Sequence, residues 1–370
     1  MSGLYFHIPF CRRVCGYCDF ARTADMRRCD EVVAAMHREL RERRTFLHNI
    51  NIGTVYFGGG TPTVLPPAEL HRLVDTAAGY FDMSAVGECT VEANPDDLTA
   101  QYVNQLRHTP VNRLSIGIQS FDDGCLRMMN RRHTAAKAIE AVKCAQDAGF
   151  DNISVDLIFG VDGYGDEVLQ RDIEQVVALG IQHVSAYHLT VEAGTAFARR
   201  VADGRMKVVP EEVSERDYLT IHKSFTSAGF EHYEVSNYAL PGFRSRHNSS
   251  YWHGEEYIGI GVGAHSFDGR RRCWNAPTVA QYLAGKGAGE EMLTEREMRN
   301  EMIMTSLRTA EGLDMQLFAE RFGDAAAMKT FEYAKSFISA GLLIYDYGRL
   351  RIPAEKFLVS DAVIESLFEI

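Results

Sequence analysis

Six short apolar runs, each followed by a longer stretch of helical period, fill the first 230 residues, and this alternation constrains the fold more than any other feature. The runs fall at 4–8, 54–57, 88–93, 113–118, 152–159 and 183–189. The helix-period stretches fall at 29–46, 67–80, 99–107, 134–148, 165–179 and 210–228. Thr99 and Thr134 stand where N-caps belong, and Gly149 and Gly229 stand where C′ glycines close a helix. Strand–helix units repeated in order imply a parallel sheet with right-handed crossovers. Six units are too few for a closed eight-stranded barrel. The expected fold class is therefore α/β: a partial (β/α)6 barrel with its site at the C-terminal ends of the strands.

The pattern changes near Glu231, which divides the chain into a core over 1–230, a connecting segment over 231–290 and a small, mostly helical C-terminal domain over 291–370. In the connecting segment, 233–238 reads as a strand. It is followed by a loop of polar and aromatic residues up to Trp252, then a glycine-rich stretch at 259–263 and a flexible Gly-Lys-Gly-Ala-Gly link at 285–289. The glycine-rich stretch reads as close backbone packing. A β-hairpin is expected near 342–352.

Formal net charge is -11, and the densest basic run is Arg270, Arg271 and Arg272. A protein that tracks phosphates would carry a basic face, so no nucleic-acid partner is expected. No apolar stretch approaches the roughly 18 residues of a membrane span, and the N-terminus does not read as a secretory signal. A cytoplasmic location is expected. There the 8 cysteines should be reduced thiols or metal ligands.

The strongest chemical signal is Cys11, Cys15 and Cys18, spaced C-x3-C-x2-C directly after the first strand. Three thiolates in one loop suit an iron–sulfur cluster, and a [4Fe–4S] cubane with three protein ligands keeps one iron open to a small molecule. A zinc site with Cys29 as fourth ligand is the alternative, and three unconnected thiols are the bland one. Gly58, Gly59, Gly60, Thr61, Pro62 and Thr63 end the second strand, where glycines let a ligand approach the backbone. A tight turn would use the same residues, and the lysine of a P-loop is missing. Glu92, Gln119 and Asp156 sit within or at the ends of apolar runs. One such residue would read as a capping or filling hydrogen bond, whereas several at one mouth favour a shared polar ligand. Cys89, Cys125, Cys144 and Cys273 read as packed thiols, and His7 and His188 as satisfied core or barrel-mouth histidines. In His247-Asn248-Ser249-Ser250-Tyr251-Trp252, a loop imidazole and two flat aromatic faces suit a porphyrin. A surface loop with an aromatic pair is the other reading.

Tyr5 through Cys11, the cysteine loop, the Gly-Gly-Gly-Thr-Pro-Thr run and Gly117-Ile118-Gln119-Ser120 together resemble the radical S-adenosylmethionine superfamily. More narrowly they resemble the oxygen-independent coproporphyrinogen III oxidase family, over nearly the whole chain. The resemblance implies a [4Fe–4S] cluster on Cys11, Cys15 and Cys18. It implies S-adenosylmethionine held by Tyr5, Gly60, Thr61, Glu92, Gln119, Arg131 and Asp156, with an electron donor to reduce the cluster. Arg131 and Arg132 are adjacent, and spacing alone leaves open which faces the site. True oxidases of this family carry a further cysteine where Phe20 stands here, and an extension before the cluster motif where only four residues precede Tyr5. The His-Asn-x-x-Tyr-Trp motif resembles the haem-binding signature of the family's haem chaperone branch, which implies haem bound at His247, Asn248, Tyr251 and Trp252. The function expected is haem binding and transfer to an apo-haemoprotein, with membrane-bound respiratory proteins among the candidates. The rivals are a coproporphyrinogen III dehydrogenase and a tetrapyrrole-directed radical methyltransferase; a tRNA-modifying enzyme fits the acidic balance less well.

Overall fold

A computed structural model describes residues 1–369. Its centre is six parallel strands lying side by side in chain order: β1 (Ser2–Ile8), β2 (Ile52–Gly59), β3 (Glu88–Ala93), β4 (Arg113–Gln119), β5 (Ile153–Phe159) and β6 (His183–His188). The helices between and after them are α1 (Cys29–Glu42), α2 (Pro67–Ala78), α3 (Ala100–Leu106), α4 (Asp123–Met128), α5 (Ala135–Asp147), α6 (Asp166–Ala178), α7 (Ala196–Ala202) and α8 (Glu211–Ser227). Thr99 accepts from the Tyr102 N–H and Thr134 from the Lys137 N–H, as N-caps. Gly149 and Gly229 follow α5 and α8 at φ +89° and +90°, the left-handed geometry glycine supplies cheaply.

Strand side chains alternate between two faces. Leu4, Phe6 and Ile8 on β1, Val55 and Phe57 on β2, and Leu114 and Ile116 on β4 join Met36 and Leu40 of α1 in one buried apolar core. The residues between them, Tyr5 and His7, Tyr56, Glu92, Arg113 and Ser115, and Asp156, belong to the opposite face. That face carries the polar chemistry.

The segment after 230 contributes β7 (Glu231–Glu234), β8 (Asn237–Ala239), α9 (Arg246–Trp252), β9 (Tyr257–Gly261), β10 (His265–Phe267), β11 (Arg271–Trp274), α10 (Val279–Leu283) and β12 (Gly289–Met292). It does more than connect. β8 and β7 extend the sheet antiparallel beyond β6, while β9 pairs parallel with β1 and β10, β11 and β12 follow outward, giving twelve strands. The single strand expected at 233–238 is a tight hairpin of β7 and β8, turning at Val235 and Ser236. The loop expected up to Trp252 contains α9. The sequence there lacks a long helical period because the helix is short and mostly enclosed. Glycine lets β9 sit close to its neighbours: a Cβ on Gly259 would lie 2.1 Å from the His265 carbonyl oxygen.

The C-terminal part holds α11 (Glu295–Leu307), β13 (Leu313–Asp314), α12 (Met315–Phe322), α13 (Asp324–Ser339), β14 (Ile344–Asp346), β15 (Arg349–Arg351) and α14 (Ser360–Glu365). β14 and β15 form the expected hairpin, turning through Tyr347 and Gly348, both at positive φ. The overall class is α/β, with a large parallel-dominated sheet and a helical C-terminal region.

Candidate functional site

The cysteine loop leaves β1 and is pinned by backbone bonds on both sides. The Cys11 N–H donates to the Thr23 carbonyl and the Gly16 N–H to the Met129 carbonyl, each at 2.9 Å, and the Phe197 N–H donates to the Gly16 carbonyl at 3.0 Å. Asn130 Nδ2 donates to the Val14 carbonyl at 2.7 Å. Gly16 meets the Phe197 ring so closely that a Cβ would lie 2.6 Å from it. α4 and α7 therefore fix the loop's shape, and neither helix was expected from the sequence.

Cys11 is buried, and Cys15 and Cys18 are half-buried. A chain of hydrogen bonds closes around them. The Thr61 hydroxyl donates to Cys11 Sγ at 3.5 Å, Asn94 Nδ2 donates to Thr61 Oγ1 at 3.0 Å, and Arg131 Nη2 donates to Asn94 Oδ1 at 2.5 Å. Arg131 Nη1 then reaches Cys15 Sγ at 3.3 Å, and its Nη2 also donates to the Gly117 carbonyl. Arg132 turns the other way, toward Asp96 and Asp97 at 3.8 Å each. Burial pushes the Cys18 thiol up to about 11 and raises that of Cys11. Against that burial, the Thr61 hydroxyl and the charge of Arg131 pull the Cys11 thiol back toward the thiolate that iron requires, so the donor set fits a cluster. Among the described residues no three His, Cys, Asp or Glu side chains converge on a single-ion position.

Gly60 backs onto the loop rather than facing open space. A Cβ there would lie 2.7 Å from the Phe10 carbonyl oxygen and 3.0 Å from Cys11 Sγ. Gly58 is ringed by Tyr5, Tyr56 and Glu92, each 3.0 Å from where its Cβ would stand. Tyr5 packs 6.1 Å from the Tyr56 ring and bonds His7 Nδ1 through its hydroxyl at 3.1 Å. Glu92 accepts from the Tyr56 hydroxyl at 2.9 Å and from the Gly59 N–H at 3.1 Å. Asp156 accepts from Ser115 Oγ at 3.4 Å. Burial, then repulsion from Asp156, raises Glu92 to about 7. Burial raises Asp156 to about 6 against Ser185, Arg113 and Arg131, which lower it. Arg113, only 1% exposed, is the cation placed among them. Gln119 is buried at φ +73°, where the β4–β5 register slips. A non-glycine residue in that region is strained backbone, a feature that clusters at ligand sites. Asn94 and Arg113 were missed by the sequence reading. Asn94 carried a usable signal, since it follows the end of β3 like the other strand-end polar residues.

The His-Asn-x-x-Tyr-Trp motif lies on α9, which corrects the loop expected there. Ser245 caps the helix, and the Glu88 carboxylate accepts the Arg246 and His247 N–H groups at 2.9 and 3.0 Å. His247 is 0% exposed. Its Nδ1 pairs with Thr54 Oγ1 and its Nε2 with the Tyr251 hydroxyl, both at 2.8 Å. Its ring stacks 5.1 Å from Tyr56. Burial and Arg113 lower its pKa to about 3, so the ring is neutral and both nitrogens are already engaged. The Asn248 N–H donates to Ser245 Oγ at 3.3 Å. Tyr251 and Trp252 instead line a cavity of about 1050 Å³ between the β9–β11 edge and the C-terminal helices. Phe20 and Ala21 from the cysteine loop, with Trp274 and Met302, line it too. The Trp252 Nε1–H is buried with no partner.

The family description "Radical SAM superfamily" matches residues 5–176, and "HemN C-terminal domain" matches 293–359. The heme chaperone HemW of Lactococcus lactis is 34% identical, covering 98% of this chain and 96% of that one. The heme chaperone HemW of Bacillus subtilis is 35% identical, covering 87% of each. The solved structure of coproporphyrinogen III oxidase (HemN) from Escherichia coli superposes with TM-score 0.83 at 22% identity, covering 99% of this chain and 90% of that one. At that identity the likeness is one of fold.

Proposed function

The chain belongs to the heme chaperone HemW family within the radical SAM superfamily, and from that premise we propose that it binds haem and delivers it to apo-haemoproteins. Its cofactors are a [4Fe–4S] cluster and S-adenosylmethionine. Cys11, Cys15 and Cys18 are the proposed cluster ligands, and the cluster's chemistry is to supply an electron to bound S-adenosylmethionine. Tyr5, Thr61, Glu92, Gln119, Arg131 and Asp156 are the proposed contacts of S-adenosylmethionine, with Gly60 keeping the cysteine loop close. Arg131 offers a guanidinium to the cysteine loop, while Glu92 and Asp156 offer carboxylates to the polar end of the ligand.

The observation that carries the haem reading is the cavity, whose aromatic walls include Tyr251 and Trp252 and which reaches the cysteine loop at Phe20. A large, mostly apolar space with a few polar groups suits a planar macrocycle. His247 is the motif's iron-ligand candidate; in the conformation described it supports Tyr251 from behind. Phe20 stands where an oxidase would carry another cysteine, which weighs against decarboxylase activity. We take 1–230, 231–290 and 291–370 as the core, the connecting segment and the C-terminal domain. An electron donor, a membrane-bound respiratory acceptor and a cytoplasmic site of action complete the proposal, without a nucleic-acid partner. No helix of the described residues is long and apolar enough to cross a membrane.

The test is anaerobic reconstitution, a haem titration, and incubation with coproporphyrinogen III and S-adenosylmethionine. Saturable haem binding with the porphyrinogen unchanged is expected. A decarboxylated product would replace the chaperone reading with the dehydrogenase.

A further inference from the structure

Thr61, Asn94 and Arg131 occupy the inner side of the cysteine loop. Its other side is exposed, and three segments meet there: the loop at 11–18, the end of α4 with the residues after it at 127–132, and α7 at Ala196–Ala202. The Gly16 N–H donates to the Met129 carbonyl, the Phe197 N–H to the Gly16 carbonyl, Asn130 Nδ2 to the Val14 carbonyl and Arg200 Nη1 to the Met128 carbonyl, all at 2.7–3.0 Å. The loop carries Arg12 and Arg13, the second segment Arg127, Arg131 and Arg132, and α7 Arg199 and Arg200. None of the three holds an aspartate or a glutamate, in a chain of formal net charge -11. Local structure accounts for part of this set. Arg131 turns inward, Arg12 and Arg132 lean on Asp97 at 3.3 and 3.8 Å, and Arg200 lies over the Phe197 ring at 5.6 Å. Arg13, Arg127 and Arg199 are exposed and have no acidic partner among the described residues. Asp19 and Glu192, both exposed, bound the patch in the chain.

We propose that this arginine face is the docking surface of an acidic one-electron carrier protein, which reduces the cluster from the exposed side of the loop. The proposal rests on the cluster reading above and deepens it by placing the electron donor. Electron transfer needs the carrier's redox centre close to the acceptor, and Cys15 and Cys18 are only half-buried in this loop. The inner side is the one assigned to S-adenosylmethionine, which leaves the exposed side for a protein partner. An acidic carrier would be repelled by a chain of this net charge unless a local patch of opposite sign steered it, and steering of this kind acts mainly on the rate of encounter. A phosphate polymer would need cations spread along a longer track. This patch is compact and centred on the cysteines. In the step itself one electron leaves the carrier, which is oxidised, and enters the cluster, which is reduced; no bond forms or breaks and no proton moves.

The experiment uses the full-length, anaerobically reconstituted protein and an acidic plant-type [2Fe–2S] ferredoxin as probe. Calorimetric titration with oxidised ferredoxin measures binding, and stopped-flow absorbance after mixing with reduced ferredoxin measures cluster reduction. Wild type is compared with Arg127→Glu/Arg199→Glu, with the milder Arg127→Gln/Arg199→Gln, and with Lys223→Glu/Arg296→Glu. The last pair reverses exposed cations on α8 and α11 and gives the same change in net charge as the first. At low ionic strength Arg127→Glu/Arg199→Glu should bind and accept electrons at least ~10-fold less well than wild type. The glutamine pair should fall between, and the α8/α11 pair should stay near wild type. The differences should close as salt rises. Iron content should be the same in all four, and so should reduction by the methyl viologen radical cation, a small donor that needs no docking face. An arginine pair that matches the α8/α11 pair, or a loss that salt does not close, overturns the proposal. So does binding to phosphatidylglycerol vesicles that the arginine pair abolishes while ferredoxin binding is unchanged, which assigns the face to anionic lipid. Wild type that holds no iron, or that methyl viologen does not reduce, overturns the cluster reading instead.

Discussion

A methyl group added at Gly60 would press on the Phe10 carbonyl oxygen and on Cys11 Sγ, at 2.7 and 3.0 Å. Neither can move without displacing the first cysteine, and overpacking of this kind costs about 1–3 kcal/mol. Gly60→Ala should therefore lower the iron held after anaerobic reconstitution. Gly79→Ala, at an αR position whose Cβ meets only the Thr76 carbonyl at 3.3 Å, should not. Equal iron in the two variants would mean that the glycine run does not support the loop. Glu92 gives a pH-dependent prediction. Its folded pKa, about 7, lies above the ordinary carboxylate value of 4.5, so the folded state binds the proton more tightly than the unfolded one. Stability from this group then falls as pH rises from about 4.5 to about 7, and the full penalty stands above that window. Glu92→Gln imitates the protonated acid. In the cofactor-free protein it should raise stability at pH 8 by on the order of 1–2 kcal/mol, with the gain vanishing near pH 5. Denaturant titrations at the two pH values measure this, and a gain equal at both would refute the electrostatic origin.

At the scale of elements, α9 acts as a plug. Its N-terminus is held by Ser245 and Glu88, and its His247 is wedged among Tyr5, Tyr56 and Thr54. Removing that imidazole leaves the Thr54 and Tyr251 hydroxyls without their partner in a buried space. Each lost buried hydrogen bond costs about 1–3 kcal/mol, and the cavity adds to it. His247→Ala should lower the unfolding free energy by about 2–4 kcal/mol, read by thermal or urea unfolding. A stability loss below about 0.5 kcal/mol would show that the ring is not structural. Weakened haem binding in that variant is interpretable only beside this measurement.

At the scale of the whole molecule, the C-terminal region closes one side of the cavity through a few polar links. Arg272 Nη2 on β11 meets Glu301 Oε1 on α11 at 2.7 Å, and the Tyr218 hydroxyl on α8 donates to the Ala354 carbonyl at 2.7 Å. The Arg272–Glu301 pair is partly shielded and joins the sheet edge to the first helix of the C-terminal part. Arg272→Ala should loosen that contact by about 1 kcal/mol, the upper end for such pairs, and speed tryptic cleavage at Lys286 about fivefold. Iron content should stay at the wild-type level, since Arg272 pairs with Glu291 and Glu301 and with no residue of the cysteine loop. Unchanged cleavage would mean that apolar contacts alone seat α11.

The alternation of apolar runs with helical period was enough to determine the six parallel strands and six of their eight helices, all but the short α4 and α7, because strand and helix periods are local and the outer face of each strand must be apolar to pack on a helix. The cysteine spacing was legible for the same reason: one loop after one strand holds all three thiols. What the sequence alone did not reach depends on contacts between distant segments. Arg131 and Arg132 are indistinguishable in the chain, and only the docking of the end of α4 against the cysteine loop, through Met129 and Asn130, turns Arg131 toward Cys15 and leaves Arg132 to the acids. α9 is one short helix whose period is too brief to register, and its His247 is buried because β1, β2 and Glu88 close over it. β9–β12 join the β1 edge from more than 250 residues away, which no local pattern encodes. That distant pairing makes one wall of the cavity and sets His265 in it, so the choice of which imidazole meets solvent belongs to the tertiary structure.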